Sequence, residues 1–264
     1  MGISITQNDR ASDFGFRNGK STIHTARTIM FEDLKALFTH VPNINASKND
    51  YIQAIEVDNC LGKRSGKTRK LTAQHLSELY TLDPAVTLFR ALRFFWKRDE
   101  AGQPLLSLLC AYSRDTLLQK TAPFILSTSE GNIITREDLE EFLEKNEPGR
   151  FSKSTLTSTA QNLNSSWTKS GHLIGRAKKV RSRANPTPGS VAYALFFGYL
   201  CGIRGEMLLE TEYVQLLDCS MNQAIELAED ASRRGWIVFK RIGKVIEVLF
   251  PNILNPREIE WSRE

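Results

Sequence analysis

The chain has few cysteines, few histidines, no long apolar run and, over one stretch, no acid at all, and each scarcity removes a class of function. Its four cysteines, Cys60, Cys110, Cys201 and Cys219, are scattered, with no Cys-x-x-Cys pair and no histidine at zinc-like spacing. That pattern offers neither a zinc module nor a disulfide framework and leaves reduced core thiols. The four histidines, His24, His40, His75 and His172, have no partner legible along the chain, and no nucleophile elbow, paired-carboxylate motif or metal-ligand cluster accompanies them. No enzyme, metal, cofactor or small-molecule substrate is expected, although a Ser, a His and an acid can converge in three dimensions without any spacing to announce it. The longest apolar stretch, Val191 to Ile203, is shorter than the roughly 20 residues of a membrane span and reads as a buried helix. No signal peptide is legible, which points to a cytoplasmic location.

The most informative absence is of negative charge. From Pro148 to Gly205 there is no Asp or Glu, while Arg150, Lys153, Lys169, Arg176, Lys178, Lys179, Arg181, Arg183 and Arg204 fall inside. The overall charge of +5 says only that a polyanion is an acceptable partner. Its concentration in one window is the stronger signal.

What is present fits a mainly α protein of 264 residues with 41% hydrophobic residues, enough for a real core shared by two or three small modules. Residues 1–22 are polar and aperiodic and read as a flexible arm. Residues 23–130 read as a helical bundle. Apolar residues recur at helical spacing from Ile29 to Val41, Ser47 with Asp50 resembles a capping box, and the run from Leu71 to Trp96 breaks at Asp83-Pro84, with proline suited to the first turn of the next helix.

Residues 131–188 carry a helix announced by Thr135 and Asp138 and a longer one from about Ser152 to Ser170 that Gly171 ends. A basic strand pair follows, the order of a winged helix. Residues 189–264 repeat that order: a buried helix, an apolar-periodic turn from Glu212 to Leu217, a helix opened by Ser220 and Gln223, and a hairpin closed by Gly243-Lys244.

In the first such unit the exposed helix face would carry Lys153, Thr155, Thr157, Ser158, Gln161, Asn162, Ser165 and Lys169. These groups hydrogen-bond phosphates and base edges and include no carboxylate. The following segment, Arg176, Lys178, Lys179, Arg181 and Arg183, would add salt-sensitive affinity through phosphate contacts. In the second unit Glu226, Glu229 and Asp230 would repel phosphate, although Arg233, Arg234, Lys240, Arg241 and Lys244 could let its wing touch a backbone. The run Lys63-Arg64-Ser65-Gly66-Lys67-Thr68 invites comparison with a phosphate-binding P-loop, but Leu61 stands where the first glycine belongs. With Arg69 and Lys70, these residues (Lys63, Arg64, Lys67) read instead as a secondary polyanion patch.

With these segments in place the chain resembles the BrxA-like family of bacteriophage-defence (BREX) islands. The residues that carry the resemblance are Val57-Asp58-Asn59-Cys60-Leu61-Gly62-Lys63-Arg64-Ser65, Phe151-Ser152-Lys153-Ser154-Thr155-Leu156 and Gly171-His172-Leu173. The resemblance implies a mostly helical protein with winged-helix features that binds duplex DNA beside separate methyltransferase and ATPase subunits. The leading expectation is therefore a non-enzymatic DNA-binding accessory protein, with double-stranded DNA and other BREX components as partners and no membrane contact. The alternative is a scaffold that docks a larger enzyme.

Overall fold

The computed structural model describes residues 11–17, 19 and 22–261. Within them the chain is mainly helical, with two small antiparallel sheets. The first half follows its apolar stripes through α1 (Phe31–His40), α2 (Lys48–Glu56), α3 (Gly66–Tyr80), α4 (Thr87–Trp96), α5 (Gln103–Tyr112) and α6 (Thr116–Ser127). Ser47 and Asp50 form the capping box that opens α2. Pro84, however, lies in a turn ahead of α4 rather than in its first turn. Thr81 and Leu82 adopt left-handed backbone conformations, φ +65° and +52°, and reverse the chain before the proline is reached.

The expected arm over residues 1–22 is corrected where it is described. Ala11–Phe14 form a single 3-10 turn, and Ala11, Phe14 and Phe16 are buried. Phe16 meets Phe197 and Tyr213 edge to face, so two aromatics spaced among polar residues anchor this segment in the core. Residues 1–10 lie outside the described residues.

The middle of the chain comprises β1 (Ile133–Ile134), α7 (Arg136–Asn146), α8 (Lys153–Lys169), β2 (Leu173–Ile174) and β3 (Lys179–Arg181). The three strands lie in the order β1-β3-β2, with Ile133 opposite Val180 and Val180 opposite Ile174. Thr135 and Asp138 box the start of α7, and Gly171, φ +87°, turns the chain after α8. Packing of α7 on α8 buries Leu139, Leu143, Leu163 and Trp167.

The C-terminal part contains α9 (Pro188–Leu200), α10 (Glu212–Gln215), α11 (Met221–Arg233), β4 (Val238–Ile242), β5 (Val245–Leu249) and α12 (Pro256–Trp261). The stretch read as periodic from Glu212 contributes only the single turn α10. A 3-10 segment, Gly205–Glu210, takes up the chain before it. Helix α9 is buried from Gly189 to Leu200 and touches α4 and α5 on one side and α10 and α11 on the other, which joins the two halves through one core.

The α9 N-terminus is received by buried Asp99, whose carboxylate accepts from the Gly189 N–H at 2.7 Å and the Gly102 N–H at 3.1 Å. A Cβ on Gly189 would stand 2.5 Å from Asp99 Oδ2, so the close approach requires glycine. Burial of the carboxylate is tolerated because both donors are charge-assisted and fixed.

A second buried polar cluster joins three remote segments. Asp115 caps α6 through the Leu117 and Leu118 N–H groups and also accepts from the Ile23 N–H at 2.8 Å. His24 Nδ1 lies 2.9 Å from Asp115 Oδ2, out of line with the ring N–H, which makes the contact electrostatic rather than a linear hydrogen bond. On its other side His24 Nε2 lies 2.9 Å from Ser166 Oγ. The residue types are those of a hydrolytic triad. Their wiring is not, because Ser166 Oγ accepts the Ile29 N–H at 3.0 Å and donates to the Asn162 carbonyl at 2.8 Å. All three side chains are buried, and a serine committed in this way has no path to a substrate.

His172 is the other buried imidazole. Its Nε2 lies 2.8 Å from the Leu216 carbonyl, which accepts only, so Nε2 carries the proton and Nδ1 accepts from Ser170 Oγ at 2.9 Å. Burial lowers its pKa from 6.5 to about 4, against the opposing pull of the Leu216 carbonyl and Asp218, while Arg181 adds to the lowering. Between those values the unfolded chain binds a proton that the folded chain refuses. Stability is therefore expected to fall as pH drops from 6.5 toward about 4 and to lose no more from this residue below that. The loss is on the order of 3 kcal/mol. Urea melts of wild type and His172→Gln at neutral pH and just above pH 4 check this, and equal acid losses in the two proteins would refute it.

Candidate nucleic-acid interface

An open groove of about 740 Å³ lies between β1, the first turn of α7, the middle of α8 and the β2–β3 loop. Its walls follow from local geometry. Gln161, Asn164 and Ser165 lie three and four residues apart and so share one face of α8, while Arg176, Lys178 and Lys179 come from the loop that Gly175 opens at φ +96°. A side chain at position 175 would strike the Lys178 carbonyl at 2.2 Å, so the loop needs glycine there.

Of the residues expected to bind, this arrangement unites Gln161, Ser165, Arg176, Lys178 and Lys179. Arg176 and Lys178 are exposed and make no hydrogen bond or ion pair with another described residue. Lys179 is half-buried and donates to the Gly175 carbonyl at 2.7 Å; burial and, secondarily, Lys169 lower its pKa. Lys153 is exposed at the start of α8, whose first turn holds no acid. Thr157 is half-buried along the same helix, and Thr155 and Ser158 bond locally, to Ser152 Oγ and to the Thr155 carbonyl.

Four expected contacts have other work. Arg181 is only 4% exposed: Nε donates to the Ile125 carbonyl at 2.8 Å, and a terminal nitrogen lies 2.8 Å from Asp218. Strand alternation does turn side chains to opposite faces, but the face that Arg181 occupies is the inner one, shared with Leu173 and Ile134. It is a structural residue, not a phosphate contact. Asn162 donates to the His24 carbonyl at 2.9 Å and holds the N-terminal segment on α8. Lys169 pairs with Glu32 at 2.7 Å and Arg183 with Glu130 at 3.2 Å, surface pairs that weaken with salt.

The sequence reading missed Arg136 and Asn164. Arg136 hides in an acidic helix start, where it pairs with Glu137 and, at 3.0 Å, with Glu140. Glu137 also lines the groove and is the one carboxylate among its lining residues; its own backbone N–H and Arg136 hold its pKa below the usual range. Asn164 is 5% exposed, its side-chain amide makes no hydrogen bond with another described residue, and its Oδ1 is unpartnered. Helical spacing from Gln161 was the available signal for it.

The secondary basic patch is more dispersed than its sequence. Lys63 pairs with Asp33 at 2.7 Å, Arg69 is half-buried, and Arg64, Lys67 and Lys70 point to solvent around the start of α3. In the second unit Asp230 pairs with Arg233 and Arg234, so part of the expected acidic face is neutralised in place. Among the described residues no helix is long and apolar enough to cross a membrane. Burial raises the thiols of Cys110 and Cys219 to about 11 and of Cys201 to about 12, which suits inert packing residues. No protein-family model, curated protein or solved structure matches the chain significantly.

Proposed function

We propose that residues 116–183 form a winged-helix unit whose groove and basic loop bind duplex DNA, and that the protein is a non-enzymatic DNA-binding accessory protein. The order α6-β1-α7-α8-β2-β3, with β1 beside β3, supports the unit. The observation that carries the reading is convergence: the carboxylate-free face of α8 and the unpaired cations Arg176 and Lys178 line the same groove. The exposed Gln161 would meet base edges or sugars, and the cations would take phosphates. The BrxA-like resemblance would set this activity in a BREX-type defence system.

Duplex binding measured by anisotropy across a salt series tests the proposal. Arg176→Glu with Lys178→Glu is expected to weaken binding by roughly tenfold to a hundredfold and to reduce the log–log salt slope by about 2, since each phosphate contact contributes about 0.9. Unchanged affinity and slope would sink it. The scaffold reading rests on the outer sheet face, which meets the groove at Ile133, where Ile133, Val180 and Ile174 lie in register and Ile133 and Ile174 are exposed. Partner capture that survives nuclease, with no direct duplex binding, would favour that reading.

A further inference from the structure

The β4–β5 hairpin carries an exposed apolar tip that the groove does not use. Its register sets Phe239 opposite Val248 and Ile242 opposite Val245. Alternation then turns Phe239, Ile246 and Val248 inward, where all are buried, and Lys240, Ile242, Val245 and Glu247 outward. Gly243 has φ +59° and Lys244 has no positive φ, which is the tight turn with glycine first that matches strand twist.

Ile242 and Val245 are 83% and 72% exposed, the most exposed large apolar side chains among the described residues. Strand propensity explains β-branched residues here, but threonine satisfies it without exposing hydrocarbon. Three exposed cations stand near the pair: Lys240 on the same face, 3.3 Å from Glu247, Lys244 in the turn, and Arg241 on the opposite face, where its Nε donates to the Gly243 carbonyl at 3.2 Å. Even with Leu249, 40% exposed farther along the same face, this is far too little surface for a stable protein interface. The two tip side chains are the right amount for one base step.

We propose that this tip is a wedge: Ile242 and Val245 enter the minor groove and part a base step while Arg241 and Lys244 hold the flanking phosphates. Apolar wedges flanked by basic residues unstack and kink DNA in this way. The inference rests on the DNA-binding reading above and assigns the second unit a separate job, deforming the duplex that the first unit holds.

Duplexes carrying several 2-aminopurines, which brighten on unstacking, test it with the full chain. Wild type at saturation is expected to raise the fluorescence. Ile242→Thr with Val245→Thr, which keeps strand propensity, is expected to abolish that rise while duplex affinity changes by less than roughly tenfold. A saturated wild-type complex with no rise, or a rise that survives in the threonine pair, would overturn the wedge and leave the groove standing. Loss of phosphatidylserine-vesicle binding in the threonine pair, without any unstacking by wild type, would overturn it in favour of a membrane. A wild type that binds no duplex at all would remove the groove reading and the wedge together, a pattern distinct from either.

Discussion

Asp115→Ala is expected to cost about 3–5 kcal/mol of folding stability, the penalty for leaving several buried donors without their shared acceptor at about 1–3 kcal/mol each. The carboxylate does several jobs at one point. It satisfies the Leu117 and Leu118 N–H groups at the start of α6, receives the Ile23 N–H and the Thr22 hydroxyl, and faces the His24 imidazole. Alanine orphans all of these donors in a buried site, so the cost exceeds that of an ordinary lost cap. Burial alone would raise the pKa of Asp115, yet His24 and the donors from Ile23 and Thr22 outweigh it and hold the carboxyl below its ordinary value of 3.8. The stability it contributes is accordingly present above the ordinary carboxylate range and is lost as pH falls through its lower folded value. Asp115→Asn, which can still accept from the helix start, should lose less than Ala. Urea denaturation followed by circular dichroism measures both, and a loss under about 1 kcal/mol for Ala would show the cluster to be incidental.

Local chemistry was legible in the sequence, and remote pairing was not. Ser47 with Asp50 and Thr135 with Asp138 sit at the reciprocal-cap spacing and form it, Gly243 turns the hairpin it announces, and the Val191 run is the buried helix it resembles. By contrast, a two-residue strand such as Ile133–Ile134 has no alternation to display, and only its partner β3 defines it. Phe14 and Phe16 looked like part of an arm because their polar neighbours set the local average. His24 and Ser166 are 142 residues apart, so nothing local hints that they touch. The candidate site shows the same division. Gln161, Arg176 and Lys178 were found by residue type, whereas Arg136 needed the fold to carry it from an acidic helix start to the groove wall.

Arg181 separates a DNA contact from a structural residue, and its replacement is the second large effect expected. Arg181→Met should cost about 3–5 kcal/mol, because it strips a donor from the Ile125 carbonyl at the end of α6 and leaves the Asp218 carboxylate, 2.8 Å away, without its cation. The guanidinium also donates to the Ser182 carbonyl and, at 3.4 Å, to the His172 carbonyl, so it ties α6, the strand loop and the segment before α11 at one buried point. Lysine cannot reproduce a fork that reaches several acceptors, so Arg181→Lys should recover only part of the loss. The sequence places Arg181 among five cations of one basic segment, and a charge reversal there is expected to unfold the unit proposed to bind duplex, so that lost affinity alone would not make it a contact. Arg176→Glu is the opposite case: an exposed change expected to leave the melting temperature nearly untouched while lowering affinity. Measuring melting and duplex binding on the same two variants distinguishes the roles. Wild-type-like melting of Arg181→Met together with lost affinity would make Arg181 a contact after all, since a residue that holds the fold cannot be removed without the fold registering it.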